Sequence, residues 1–493
     1  MHAKSGRTVR DLRRENRTAV LRRLYFDGPM SRLALGPATG LSSGSISNVV
    51  AELVAEGLVE EAGSVDSAGG RPRTLLRIAP DSGCMIGVDI GETRVRIELF
   101  DLALTELART ERPLAPSGPR TARYEVAVVV DHLRDGIAEV LRAAGVPAER
   151  LLGVGIGVPG IVERTAEHGA VVHGQTIGWD AVPLERLLRE KVALPAEVPY
   201  RIENGAKTLG QAEMWFGAGR GAGSAVVVLF GSGVGACVVT DPLGPGQALE
   251  WGHLTVRVRG RRCRCGAQGC LEAYAGAEAL LARWREAGGE PPAGADEETA
   301  LTAMLAAAYP ADAGPGGLGR GGAEPSGDGP HPARPTETAP SGAEPGGVGP
   351  GEARHAGAAA GGGRQGVVGH GGAVGDPVAL AVLDETAEYL GAGLADLINL
   401  FQPERILVGG WAGLQLGSRF LEPVAAYARA YALRHPGGRT EIALGTLGPE
   451  AVTVGAGLLP LVDFFALGGR RPERAPSVPA PAWQTALRDR VST

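Results

Sequence analysis

Residues 250–272 read EWGHLTVRVRGRRCRCGAQGCLE, and this stretch decides how the rest of the chain is understood. His253, Cys263, Cys265 and Cys270 place one imidazole and three thiols within 18 residues, the donor types and number of a closed tetrahedral Zn2+ site. Glycines at 266 and 269 permit the tight loop that would bring three sulfurs to one ion, and Arg261, Arg262 and Arg264 are expected to offset the thiolate charge. Four protein ligands leave no position open for water, so the zinc is expected to be structural and not hydrolytic. Reduced surface thiols are the alternative. The crowding of three of the five cysteines between 263 and 270 argues against it, and against a disulfide framework.

Outward from this stretch the chain runs to 493 residues, more than one compact core holds. Hydrophobic residues make up 44%, enough for real cores, while 77 Gly and 35 Pro exceed ordinary usage and must be concentrated somewhere. No apolar stretch approaches the roughly 18 uninterrupted residues of a membrane span, and the basic N-terminus lacks the apolar segment of a signal peptide. A soluble, cytoplasmic protein with no membrane partner is expected. The net charge of -6 conceals an asymmetry: residues 1–80 carry 12 Lys+Arg against 8 Asp+Glu, or +4, which leaves -10 on the remainder. Only the N-terminal part suits a polyanion.

That part has the pattern of a winged helix-turn-helix. Asn16 to Phe26 places Val20, Leu21 and Leu24 at helical spacing with Arg on the other face, and Asp27-Gly28-Pro29 ends the helix. Ser31 caps a shorter second helix, in which Gly36-Pro37 threatens a kink. Thr39-Gly40-Leu41-Ser42 reads as a turn and an N-cap, and Ile46, Val49, Val50, Leu53 and Val54 give the third helix one apolar face. Leu58 to Glu61 and Thr74 to Ile78 read as a hairpin with a long tip. Ser42, Ser43, Ser45, Ser47 and Asn48 would line the helix surface that enters a major groove, where Ser and Asn bond base edges or phosphates. Arg71 and Arg73 at the tip would reach a narrow minor groove. A small protein-docking module is the competing reading of these helices.

From Cys84 strands alternate with helices: Met85 to Asp89, Val95 to Phe100, Leu152 to Val158 and Ala225 to Leu229 are strand-like, Val126 to Ala144 is helical, and an α/β domain is implied. Residues 309–374 have almost nothing apolar to bury and are expected to be a disordered insertion. Residues 375–467 then resume the domain begun at 84–308, and 468–493 are expected to be a flexible tail.

Glu250-Trp251-Gly252-His253, Cys263-Arg264-Cys265-Gly266 and Gly269-Cys270-Leu271-Glu272 resemble the signature of the ROK family (repressor, open reading frame, kinase). The first 80 residues resemble the winged helix-turn-helix of its repressors through Ser31-Arg32, Thr39-Gly40-Leu41-Ser42, Glu56-Gly57-Leu58-Val59 and Gly70-Arg71-Pro72. The resemblance implies an actin-like ATPase fold of two α/β lobes around a cleft. It implies sugar contacts at Asn204, Glu250, His253 and Glu272, and a glycine loop beside the sugar at Gly155-Ile156-Gly157-Val158-Pro159-Gly160.

Phosphoryl transfer to a sugar needs a base beside the attacking hydroxyl. ROK kinases carry an Asp directly after the Asn; here the segment reads Ile202-Glu203-Asn204-Gly205-Ala206, so Gly205 stands at the position of the base and no catalytic residue is assigned. Asp89-Ile90-Gly91-Glu92-Thr93 resembles a phosphate motif, with Glu92 where kinases have a second Gly, and a carboxylate there would repel phosphate. Phe230-Gly231-Ser232-Gly233-Val234-Gly235 and Val408-Gly409-Gly410 resemble the remaining nucleotide-side turns. The expectation is a sugar-responsive repressor, not an enzyme, that binds duplex operator DNA as a homodimer or dimer of dimers. An active ATP-dependent sugar kinase with an accessory DNA-binding domain is the alternative.

Overall fold

The computed structural model describes residues 8–67, 70–114, 124–241, 244, 246–310 and 375–471. Of the insertion expected at 309–374, residues 311–374 lie outside the described residues. Its two flanks meet, for the Asp376 amide donates to the Ala307 carbonyl at 2.9 Å. Helices α9 (Glu297–Ala308) and α10 (Pro377–Phe401) thus pack in one core across it.

The N-terminal helices are α1 (Val9–Phe26), α2 (Arg32–Thr39) and α3 (Ser43–Ala55), followed by a sheet of β1 (Met30–Ser31), β3 (Gly70–Ile78) and β2 (Val59–Ser67), in that order. Helix α1 starts earlier than its apolar spacing indicated, because Thr8 and Asp11 form a capping box. Pro37 sits inside α2 without ending it, and the helix closes on left-handed Gly40 (φ +71°). The hairpin strands are longer and its tip shorter than the sequence suggested, since Ser64 and Val65 pair with Thr74 and Arg73. Val54, counted with the apolar face of α3, is exposed.

The first lobe is a sheet ordered β11 (Tyr200–Asn204), β7 (Leu151–Val158), β4 (Cys84–Ile90), β5 (Arg94–Asp101), β6 (Glu106–Pro113), with α4 (Val126–Ala144) on one face. The second is ordered β14 (Gln247–Leu249), β13 (Val234–Val239), β12 (Ala225–Phe230), β15 (Arg405–Gly409), β16 (Glu441–Leu444). Its helices include α7 (Glu272–Ala275), α8 (Ala277–Glu286) and α11 (Trp411–Tyr431). Gly155 and Gly157 lie in strand β7, as the strand-like run Leu152 to Val158 indicated, so of the segment likened to a glycine loop only Pro159-Gly160 turns, with Gly160 at φ +90°.

Helices α6 (Gly205–Phe216) and α13 (Ala451–Ala466) lie between the sheets. A Cβ on Gly155 would stand 1.7 Å from the Ala456 carbonyl oxygen, and one on Gly455 would stand 1.9 Å from that of Thr208. Backbone therefore rests on backbone at both contacts.

The winged helix is seated on this pair. Tyr25 meets Phe465 edge to face with centroids 5.1 Å apart, and Phe26 meets Trp215 at 4.8 Å. Arg17, placed by its spacing on the face of α1 opposite the apolar side chains, is buried; it pairs with Glu52 and Glu56 and donates to the Gly468 carbonyl at 2.6 Å. Gly468 and Gly469, assigned by sequence to a loose tail, pack against Arg17, Leu21 and Leu58. None of the described helices is long and apolar enough to cross a membrane. Gly155→Ala should lower stability by about 3 kcal/mol through overpacking, read as a lower thermal unfolding midpoint of the full chain.

Candidate functional site

A cleft of about 740 Å³ opens between the lobes. Asn204, Gly205, Glu250, His253 and Glu272 all border it, so the residues singled out in sequence for a sugar converge on one cavity. The Asn204 amide donates to the Gly160 carbonyl at 2.8 Å, and its oxygen caps α6 by accepting from the Ala206 amide at 2.8 Å. A side chain on Gly205 would first meet Leu229 at 3.5 Å, the Val158 carbonyl at 3.8 Å and Val452 at 4.0 Å. None of these is a carboxylate, and the position has room for one. Neighbouring Glu203 is turned aside, pairing with Lys207 at 2.9 Å and Arg164 at 3.7 Å.

The Cys/His set forms a compact cluster: the ligand atoms of His253, Cys263, Cys265 and Cys270 lie within 4.8 Å of one another. His253 Nδ1 is 3.7 Å from Cys263 Sγ, and Cys265 Sγ is 3.8 Å from Cys270 Sγ, close to the ligand separations of a tetrahedral thiolate site. Gly266 and Gly269 both hold positive φ (+98° and +79°), and a Cβ at 269 would fall 1.8 Å from the Arg257 carbonyl oxygen. These residues could hold a metal ion. His253 Nε2 lies 4.0 Å from a Glu250 oxygen, near enough for electrostatic attraction but beyond hydrogen-bond distance. Burial raises the Glu250 carboxyl above the usual carboxylate range, and His253 partly offsets this.

The arginines do not serve the thiolates as expected. Arg261 pairs with Glu286, and Arg264 points into the cleft region, where it donates to Glu92, to Glu272 at 3.0 Å and to Glu278 at 2.9 Å. Three carboxylates satisfy it before any sulfur does. No local motif marks Glu92 as having a partner 172 residues away.

The glycine turns have their own internal partners. Gly91 N–H donates to the Arg94 carbonyl at 3.0 Å, Gly231 N–H to that of Gly233 at 2.9 Å, and Val234 N–H to the Glu272 carboxylate at 3.2 Å. Burial pushes the Asp89 carboxyl up to about 6 despite Arg96 and Arg94 nearby. Gln175, Thr176, Trp411 and Gln415 also border the cleft and were not found by sequence reading, since no motif marks them.

At the other end of the molecule, Ser43, Ser47 and Asn48 are exposed on α3. Ser42 and Ser45 are half committed: the Ser42 hydroxyl accepts from the Ser45 amide at 3.2 Å and lies 2.9 Å from the Ser45 hydroxyl. Arg73 is exposed on β3, and the side chain of Arg71 lies outside the described residues.

Comparison with known proteins agrees with this architecture. The chain is 28% identical over 274 residues to the xylose repressor of Caldicellulosiruptor bescii, covering 55% of this chain and 66% of the repressor. It therefore spans about two thirds of that relative's length. It is 27% identical over 379 residues to the glucokinase of Halalkalibacterium halodurans, covering 76% and 94% of the two chains. In structure it resembles a ROK family transcriptional regulator homologous to the E. coli Mlc protein, with a TM-score of 0.63 at 21% identity over 93% and 98% of the chains. That likeness gives the fold: a winged helix-turn-helix followed by an actin-like, two-lobed sugar-kinase domain. The pattern of the ROK family matches residues 85–311 and 367–461, and the chain belongs to that family.

Proposed function

We propose that this chain is a DNA-binding repressor of sugar metabolism whose two-lobed domain binds a sugar without phosphorylating it. The observation that carries the reading is the neighbourhood of Gly205, where hydroxyl-binding groups surround the cleft and the nearest atoms include no carboxylate. Asn204, Glu250, His253 and Glu272 would hold the hydroxyls, because amides and carboxylates bond vicinal hydroxyls from both sides of a proton. The carboxylate that takes the proton in the kinases has no counterpart at Gly205, where the hydrogen atom replaces it.

His253, Cys263, Cys265 and Cys270 would hold a structural Zn2+. When bound it supplies a fixed anchor for the imidazole, whose other ring nitrogen lies on the side of Glu250. Ser43, Ser47 and Asn48 would read base edges while Arg73 holds phosphate, with Ser42 and Ser45 shaping the helix start and Arg71 completing the wing. A twofold dimer would present two such helices to a pseudo-palindromic operator. Sugar binding would shift the lobes, and with them the seat of the winged helix on α6 and α13, by as much as the sugar's differential affinity for the two states.

An active sugar kinase is the second reading, favoured by the likeness to a glucokinase over 94% of its length. A coupled ADP-release assay with Mg-ATP and a panel of hexoses and pentoses separates the two. The first reading expects sugar binding by calorimetry with no turnover; turnover abolished by Asn204→Ala would establish the second. Metal analysis of protein purified without chelator should give one zinc per chain, and Cys263→Ser should lose it. Against DNA from the promoter beside its own gene, Asn48→Ala should cost about 1–3 kcal/mol of specific affinity, whereas Arg73→Ala should weaken all sequences alike and lower the salt slope by about 1. Binding that ignores salt and sequence in mobility-shift assays would overturn the DNA-binding assignment.

A further inference from the structure

We propose that Arg264 and Glu92 form a resident clasp across the cleft, which takes the place of a nucleotide's phosphates and positions Glu272 for the sugar. The inference rests on the sugar-binding reading for its second part only. Glu92 stands in the turn between β4 and β5 of the first lobe, and Arg264 in the Cys-rich loop of the second. Their side chains are 12% and 10% exposed, and the guanidinium engages both Glu92 oxygens, one of them at 2.8 Å. A bidentate, charge-assisted pair is among the stronger polar contacts a protein makes, and water competes little for one this buried.

The same guanidinium fixes Glu272. Its Nε donates to one Glu272 oxygen at 3.0 Å while the Val234 amide donates to the other at 3.2 Å, so the carboxylate is held on two sides with lone pairs left over. Glycine at 233 makes room, for a Cβ there would lie 2.1 Å from Glu272 Oε2 and 2.4 Å from Arg264 Nη2. The glycine turn that could have cradled phosphate is thus packed against an internal ion pair.

Charge points the same way. Around Arg264 stand Glu92, Glu272 and Glu278, one cation among three anions, and an incoming polyphosphate would meet net negative charge and an amide already bonded. A second pair, Arg94 on β5 with Glu298 on α9, joins the lobes beside the first. Tyr124 donates its hydroxyl to the Glu92 carbonyl, which holds the turn in place.

The test uses full-length, metal-loaded protein and amide hydrogen exchange without added ligand. Glu92→Gln leaves Arg264 two carboxylates, so the variant should fold. It should speed exchange about tenfold or more both at residues 90–94 and, in the other lobe, at 262–272, the loss expected from removing one charge-assisted contact. Mg-AMP-PNP at millimolar concentration should leave wild-type exchange unchanged but bind Glu92→Gly. D-xylose or D-glucose, whichever binds wild type, should bind Arg264→Lys about tenfold or more weakly, since a single ammonium cannot hold Glu92 and Glu272 together. Unchanged exchange at 262–272 in Glu92→Gln, or AMP-PNP binding to wild type, would overturn the clasp. Should wild type bind neither sugar, the sugar-binding reading loses its support and the exchange data judge the clasp on their own.

Discussion

Two helices touch backbone to backbone at Gly455 and Thr208, and the placement of every other part follows from that contact. The N-terminal ends of α6 and α13 bring Asn204, Gly205 and Val452 to the cleft, while their C-terminal ends bring Trp215, Phe216 and Phe465 to α1 of the winged helix. Interiors this closely packed do not deform smoothly; they shift between discrete arrangements. A change in lobe closure at the cleft has a short, stiff route to the winged helix, and Arg17, bonded to Gly468 just past α13, ties the two together.

The cleft itself combines Asn204, Glu250 and His253 on its lining with glycine turns that are packed against the protein's own charges. A buried guanidinium is costly unless it is fully paired. Arg264 meets that requirement with carboxylates from both lobes, which is why it serves Glu92 and Glu272 in preference to the thiolates beside it in sequence. The loop that gathers Cys263, Cys265 and Cys270 thereby also sets the wall of the cavity.

Much of this was legible in the sequence because local rules govern it. The Cys/His spacing with glycines at 266 and 269, the Gly40 and Ser42 punctuation of the helix-turn-helix, and the helix at Val126–Ala144 depend on near neighbours. What escaped depends on distant ones. Nothing local marks Arg17 as buried among Glu52, Glu56 and Gly468, or Glu92 as the partner of Arg264. Nothing local shows how closely Gly155 of β7 approaches Ala456, a contact that arises only when α13 docks on the sheet. Gln175 and Trp411 reach the cleft through topology alone.

In the proposed mechanism a sugar-filled cleft and a DNA-bound winged helix are thermodynamically linked without catalysis. Its most direct measurement is fluorescence anisotropy of a labelled duplex from the adjacent promoter, titrated with the full-length protein in the presence and absence of each sugar, with ADP monitored in parallel. The account predicts that one sugar changes DNA affinity by about 5- to 150-fold, the usual range of coupling, with no ADP formed. DNA affinity indifferent to every sugar, together with sugar-dependent ADP release, would contradict it.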